Sequence, residues 1–158
     1  MSNSSEFLDC RTSRWDEYFF QICESVARKS PCLSRQIGAI LVRDQSIVAT
    51  GYNGPPRGFK HCTDICPRRS LGFPSGEGLI HCPAVHAEVN AIANAARIGA
   101  SVLNTTLYMN CIVPCKDCMA TLINAGVRAL VVSEILPYHA LSMDMITQCK
   151  ITVRKFKL

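Results

Sequence analysis

A chain of 158 residues is long enough for one domain around one sizeable core and too short for two, so residues 1–158 read as a single domain. Hydrophobic residues make up 48% and charged residues 18%, an ordinary globular balance that excludes a disordered polar chain. The formal charge of +5 suits a phosphate-bearing ligand, but the basic residues are scattered apart from Arg68-Arg69 and Arg154-Lys155-Phe156-Lys157. Those two clusters read as solvated surface, which argues against a nucleic-acid partner.

The first residues, Met1 to Glu6, are polar and lack the charged-then-apolar pattern of a leader. No apolar run approaches the length of a bilayer span, so the expectation is a soluble cytoplasmic protein without a membrane partner (in a host's cytoplasm for a viral source). Ser13 or Asp16 is placed to cap a helix with Trp15, Phe19, Ile22, Cys23 and Val26 on its apolar side. Gly38 to Val42 reads as a buried strand, residues 43–46 as a turn, and Ile47 to Thr50 as the second strand of a hairpin. From Gly51 to Pro83 the chain is rich in glycine, proline and cysteine. This is a long loop, of a length seldom left unpinned.

A helix follows over His86 to Ile98, ended by Gly99, and then a strand over Thr106 to Met109. Pro114 is predicted to open the next helix at its favoured first position, with Gly126 as its C-terminal cap. Ala129 to Val132 reads as a strand, His139 to Gln148 as a helix, and Ile151 to Val153 as a final strand. Strands joined through helices imply parallel pairing and the hairpin implies antiparallel pairing. The expected fold is α/β, a three-layer α-β-α sandwich around a mixed five-stranded sheet.

Ten cysteines in a chain without a secretory signal point to metal binding rather than disulfides. Cys10, Cys23, Cys111 and Cys149 are isolated and read as small buried hydrophobes. The rest fall into two sets. Cys115 and Cys118, three residues apart at a helix start, project toward one point, where the helix dipole favours thiolates. His86 supplies a third ligand from the neighbouring helix, and three protein ligands leave one tetrahedral position open, the mark of a catalytic zinc. Glu88 lies two residues from His86, close enough to reach a water at that position without coordinating the metal, and is the candidate proton carrier. His86-Ala87-Glu88 with Pro114-Cys115-Lys116-Asp117-Cys118 is the ligand pattern of zinc-dependent hydrolytic deaminases.

Cys32, Cys62, Cys66 and Cys82 form the second set, a closed four-thiolate site for a structural zinc that would staple the long loop. His61 or His81 can replace one of these cysteines.

Several segments together resemble the deoxycytidylate (dCMP) deaminases of phages and bacteria. They are Trp15 to Phe19, Ser30-Pro31-Cys32 leading to Gly38-Ala39-Ile40, Gly51-Tyr52-Asn53-Gly54, His61-Cys62, Cys82 through Ile92, and Pro114 to Cys118. The resemblance implies hydrolysis of dCMP to dUMP and ammonia, the precursor step for thymidylate. It implies that Asn53 contacts the sugar, that Ala87 and Glu88 meet the pyrimidine edge, and that Ser34 or Arg35 lies near the 5′-phosphate. It further implies a hexamer activated by dCTP with Mg2+ and inhibited by dTTP, with effector contacts in Gly51, Tyr52, Asn53, Gly54, Arg57 and Gly58. Cys32 and Cys62 match positions of a second zinc in similar members.

Two departures stand out. The segment Ser133 to Tyr138 lacks an aromatic directly after an acidic residue, leaving Tyr138 to take the stacking role. Lys29, Arg35 and Arg57 all qualify as the basic residue at the phosphate. The competing readings are a dCTP or free-nucleoside deaminase, a tRNA or DNA base deaminase, and a non-catalytic zinc module. The base deaminases need a strand-binding surface that the long loop would crowd. A structural zinc has no use for Glu88.

Overall fold

The structure, a computed structural model, describes the backbone of residues 4–156 and side chains from Arg14 to Phe156. Helix α1 (Ser4–Ala27) buries Phe19, Cys23 and Ala27 along one stripe. It begins well before the expected caps Ser13 and Asp16, because residues 4–13 carry no apolar periodicity that would reveal a helix. Asp16 caps nothing: it is buried, accepts a hydrogen bond from the Tyr108 hydroxyl at 2.7 Å and pairs with Arg154. The side chains of Ser13 and Cys10 lie outside the described residues.

Strands β1 (Gly38–Arg43) and β2 (Ser46–Tyr52) form the expected antiparallel hairpin. Asp44 and Gln45 take φ of 50° and 60°, the left-handed pair that a tight hairpin turn demands and that Asp tolerates better than most residues. After the long loop come α3 (Ala87–Arg97), β3 (Thr106–Val113), α4 (Lys116–Ala125), β4 (Ala129–Pro137), α5 (Ala140–Gln148) and β5 (Thr152–Lys155). The sheet order is β2-β1-β3-β4-β5, with β1–β3 antiparallel and β3–β4 and β4–β5 parallel. This is the mixed five-stranded sheet that the element order implied.

Alternate residues divide the sheet's two faces. Ile40, Val42, Tyr108 and Val131 pack with Phe19, Phe20 and Phe156 under α1. Leu41, Leu107, Met109, Leu130 and Val132 pack on the other face with Ala91 of α3, Met119 and Leu122 of α4 and Ile146 of α5. Cys23 and Cys111 are buried, and burial pushes the Cys23 thiol up to about 12, so it is chemically quiet. Cys149 departs from expectation: it is exposed, because it sits at the C-cap of α5 where the chain turns toward β5. None of the described helices is long and apolar enough to cross a membrane.

The long loop, 53–86, carries a helical turn, α2 (Pro67–Ser70), and a 3-10 turn at Leu79–His81. Asparagine side chains fasten the strand that leads into it, β2, to α3. Asn90 donates to the Tyr52 carbonyl at 2.8 Å, and Asn94 donates to that of Thr50 at 2.8 Å. Between them Gly51 lets β2 lie directly on α3. A Cβ there would stand 2.3 Å from the Ala91 nitrogen and 2.4 Å from the Ala87 oxygen, both backbone atoms. Since α3 carries the first residues of the candidate site, Gly51→Ala is expected to cost about 1–3 kcal/mol of stability by overpacking and to lower activity as well. Thermal unfolding beside an activity assay checks both. An unchanged melting temperature would mean that α3 shifts freely.

Candidate active site

His86 and Cys115 occupy equivalent positions, each the N-cap of a helix and each in extended backbone conformation, ψ 152° and 163°. Neither side chain caps its own helix. Both therefore turn away from their helices and face each other. Pro114 was expected at the first helical position, but the extended Cys115 intervenes and α4 starts at Lys116. The offset gives Cys115 its outward direction while Cys118, one turn into α4, is buried behind it.

The His86 Nδ1 lies 3.6 Å from the Cys115 sulfur and 3.3 Å from that of Cys118, and all three ligand atoms fall within 4.8 Å of one another. Zinc–nitrogen bonds of about 2.1 Å and zinc–sulfur bonds of about 2.3 Å at a tetrahedral angle require an N···S edge of about 3.6 Å. The donor set therefore fits a zinc ion in both chemistry and spacing. The hydrogen bond from Cys118 holds the Cys115 thiol well below its usual range, while the same contact and burial drive Cys118 up. His86 is raised, chiefly by its hydrogen bond to Cys115.

Glu88, in the first turn of α3, is 4% exposed. Burial pushes its carboxyl above the usual range, opposed by a hydrogen bond from its own backbone N–H and by the His86 charge. A carboxyl so placed is poised to take and return a proton.

A cavity of about 170 Å³ opens over this group. His86, Glu88, Ala87 and Cys115 line it together with Asn53, Ser34, Arg35, Cys32, Cys82 and Tyr138. The loop before β1 and the end of β4 thus meet the zinc-ligand pattern. Asn53 accepts from the Ile37 N–H at 2.8 Å and donates to the Arg35 carbonyl at 2.9 Å, so its amide sets the path of the Arg35 segment. Arg35 reaches over the cavity wall and donates to the Cys111 sulfur at 3.0 Å. The Tyr138 hydroxyl donates to the Gly76 carbonyl at 3.0 Å, tying β4 to the long loop.

Other expected site residues lie elsewhere. Gly51, Tyr52, Gly54, Arg57, Gly58 and Lys29 do not line this cavity. Gly51 and Gly54 serve packing: Gly54 bridges Val85 and a Cβ on it would press Pro31 at 3.2 Å. Arg57 donates to Asn94 at 2.9 Å.

Of the second cysteine set, Cys62 lies near the other three. Burial raises its thiol first, and then Cys66, Cys82 and Cys32 add to the effect. Among the described residues, no three of these sulfurs gather within 4.8 Å as the first set does.

Sequence reasoning missed Cys111, buried in the cavity wall, and Arg68, which was read as solvated surface and is instead 4% exposed inside that wall. Its signal was position: a basic residue two places after Cys66, in a segment already suspected of being pinned.

The profile of the cytidine and deoxycytidylate deaminase zinc-binding region matches residues 13–134. The chain belongs to this family. It is 34% identical over 143 residues to the deoxycytidylate deaminase of Saccharomyces cerevisiae, covering 90% of this chain and 45% of that protein. It thus spans less than half the length of that relative. It is 37% identical over 122 residues to the deoxycytidylate deaminase of Mycobacterium phage D29, covering 74% of this chain and 92% of the phage protein. The crystal structure of the dCMP deaminase of cyanophage S-TIM5 in complex with dCMP and dUMP superposes with a TM-score of 0.71 at 28% identity, covering 88% of this chain and 94% of the other.

Replacing Cys118 with Ala should lower bound zinc by about one atom per chain, since two remaining ligands hold zinc poorly. Elemental analysis of the purified proteins checks this. Unchanged zinc content would mean that these three residues do not hold the ion.

Proposed function

We propose that this protein hydrolyses dCMP to dUMP and ammonia. The observation that carries the reading is a buried carboxylate, Glu88, set beside a His-Cys-Cys zinc site in one small cavity without being part of the ligand set. The two relatives named as deoxycytidylate deaminases, and the superposed structure that holds dCMP and dUMP, support it.

His86, Cys115 and Cys118 would hold the zinc, which when bound would supply Lewis-acid activation of a water, lowering its pKa toward about 7. Glu88 accepts one proton from the attacking water and passes it to the pyrimidine ring nitrogen; it then takes the second proton from the newly formed C4 hydroxyl and delivers it to the amine, which leaves as ammonia as the C–N bond breaks and the C4 carbonyl forms. Its raised carboxyl makes it able to give the proton back. The Ala87 backbone faces the pyrimidine edge and Asn53 the sugar, while Tyr138 stacks on the base and Ser34 and Arg35 stand toward the 5′-phosphate.

Cys32, Cys62, Cys66 and Cys82 bind a second, structural zinc in this reading, drawing together thiols that already lie near Cys62. The elemental analysis above should then return close to two zinc atoms per chain. A value near one removes the second site. The protein is further read as a hexamer activated by dCTP with Mg2+ and inhibited by dTTP, with effector contacts in the Gly51 to Gly58 segment.

Glu88→Gln is expected to keep its zinc and lose turnover by roughly 10²–10⁴-fold. If the variant remains active, proton transfer runs through another group. A panel of dCMP, deoxycytidine, dCTP and a tRNA anticodon stem, run with and without dCTP–Mg2+ and dTTP, should show dCMP as the preferred substrate with rates that respond to both effectors. Preference for the polynucleotide or the triphosphate would replace the substrate assignment, and indifference to the effectors would remove the regulation.

A further inference from the structure

Arg68 is a cation held almost out of water, with no carboxylate beside it among the described residues. The turn of α2 directs its guanidinium into the cavity wall, where Nη1 donates to the carbonyls of Pro74 and Glu77, the latter at 3.1 Å, and Nη2 donates to the Ser34 hydroxyl at 3.2 Å. All three acceptors are neutral. Among the described residues no carboxylate lies within 4.0 Å of it, whereas the ion pairs that do form involve Lys116, Arg154 and Lys155.

Burying an uncompensated charge is costly and buried charges are ordinarily paired, so an unpaired one calls for a counter-ion from outside the chain. Arg35 lines the same cavity, also without a carboxylate partner among the described residues, with its Nη2 on Cys111. The cavity is therefore lined by two guanidiniums, with the Ser34 hydroxyl on that of Arg68, and among the described residues Glu88 is the one carboxylate that lines it. Arg68 has spent both Nη1 hydrogens and one Nη2 hydrogen, which leaves its Nε–H and second Nη2–H without an acceptor among the described residues. Nε and Nη2 together make the side edge of the guanidinium, the edge that matches two oxygens of a phosphate.

We propose that Arg68 binds the 5′-phosphate of the substrate, with Ser34 and Arg35 beside it, and that it sets the preference for a nucleotide over a nucleoside. This rests on the deaminase reading above. Nothing in the base chemistry needs a second cation in the wall, so the effect of losing Arg68 should depend on whether the ligand carries a phosphate. The competing account is purely structural: Arg68 only ties the Pro74 and Glu77 carbonyls and keeps the loop closed.

The test compares wild type with Arg68→Gln and Arg68→Lys in steady-state kinetics on dCMP and on deoxycytidine. Calorimetric binding of dUMP and deoxyuridine to the same zinc-loaded proteins runs alongside. The Gln variant should lose roughly ten- to a hundredfold in kcat/KM for dCMP, mostly through KM, while deoxycytidine changes by less than about twofold. Binding of dUMP should fall by the same factor with deoxyuridine unaffected. The Lys variant retains the charge without the fork and should fall between, which also covers a Gln variant too unstable to assay. A parallel loss on both substrates, or an unchanged ratio between dUMP and deoxyuridine, overturns the proposal in favour of the structural account. Failure of the deaminase reading shows separately, as wild type that turns over neither substrate, and the binding comparison still decides the role of Arg68.

Discussion

Two helices begin at one point, and the site is built around that meeting. His86 opens α3 and Cys115 opens α4, each in extended backbone that turns its side chain off its own helix axis and toward the other's. The two helix starts bring positive dipole ends to a place where two thiolates and a carboxyl must be held in a small volume. A metal ion bound there would neutralise the paired thiolates, which the two sulfurs' opposite shifts show to be in close contact. Everything else in the cavity takes its position relative to that contact.

The sheet fixes where the helices begin. β2 and β1 lie under α3, and the side-chain-free surface at Gly51 brings strand and helix backbones into contact. β3 leads through Pro114 into Cys115, so its parallel pairing with β4 sets the depth of the second ligand pair. Opposite these, Asn53 binds the Ile37 and Arg35 backbone, and Tyr138 holds the loop at Gly76. A rigid metal side thus faces a wall made of loop, which is where relatives sharing one chemistry can differ in substrate.

The gathering of His86, Cys115 and Cys118, and the place of Glu88 in the same cavity, were legible because such chemistry dictates residue types at fixed local spacing: a turn of helix separates Cys115 from Cys118, and the same helix start carries His86 and Glu88. The sheet order was legible because hairpin and strand–helix–strand patterns are local too. What escaped were contacts made across long sequence separations. Asp16 looked like a helix cap, and its partners Tyr108 and Arg154 lie in β3 and β5. Arg68 looked like surface charge, and its acceptors are backbone carbonyls that no side-chain pattern announces. Cys149 and Cys23 are the same residue type, yet only packing against the sheet makes one buried and the other exposed.

The central claim is that one zinc sits among His86, Cys115 and Cys118 with its fourth position turned toward an uncoordinated Glu88. Anomalous-scattering crystallography of the purified protein at the zinc absorption edge addresses it directly, because each metal position is located separately. The account predicts a peak bonded to His86 Nδ1 and both sulfurs, with a solvent oxygen completing the tetrahedron within hydrogen-bond distance of the Glu88 carboxylate. A disulfide between Cys115 and Cys118, or a closed site with Glu88 as the fourth ligand, would contradict it.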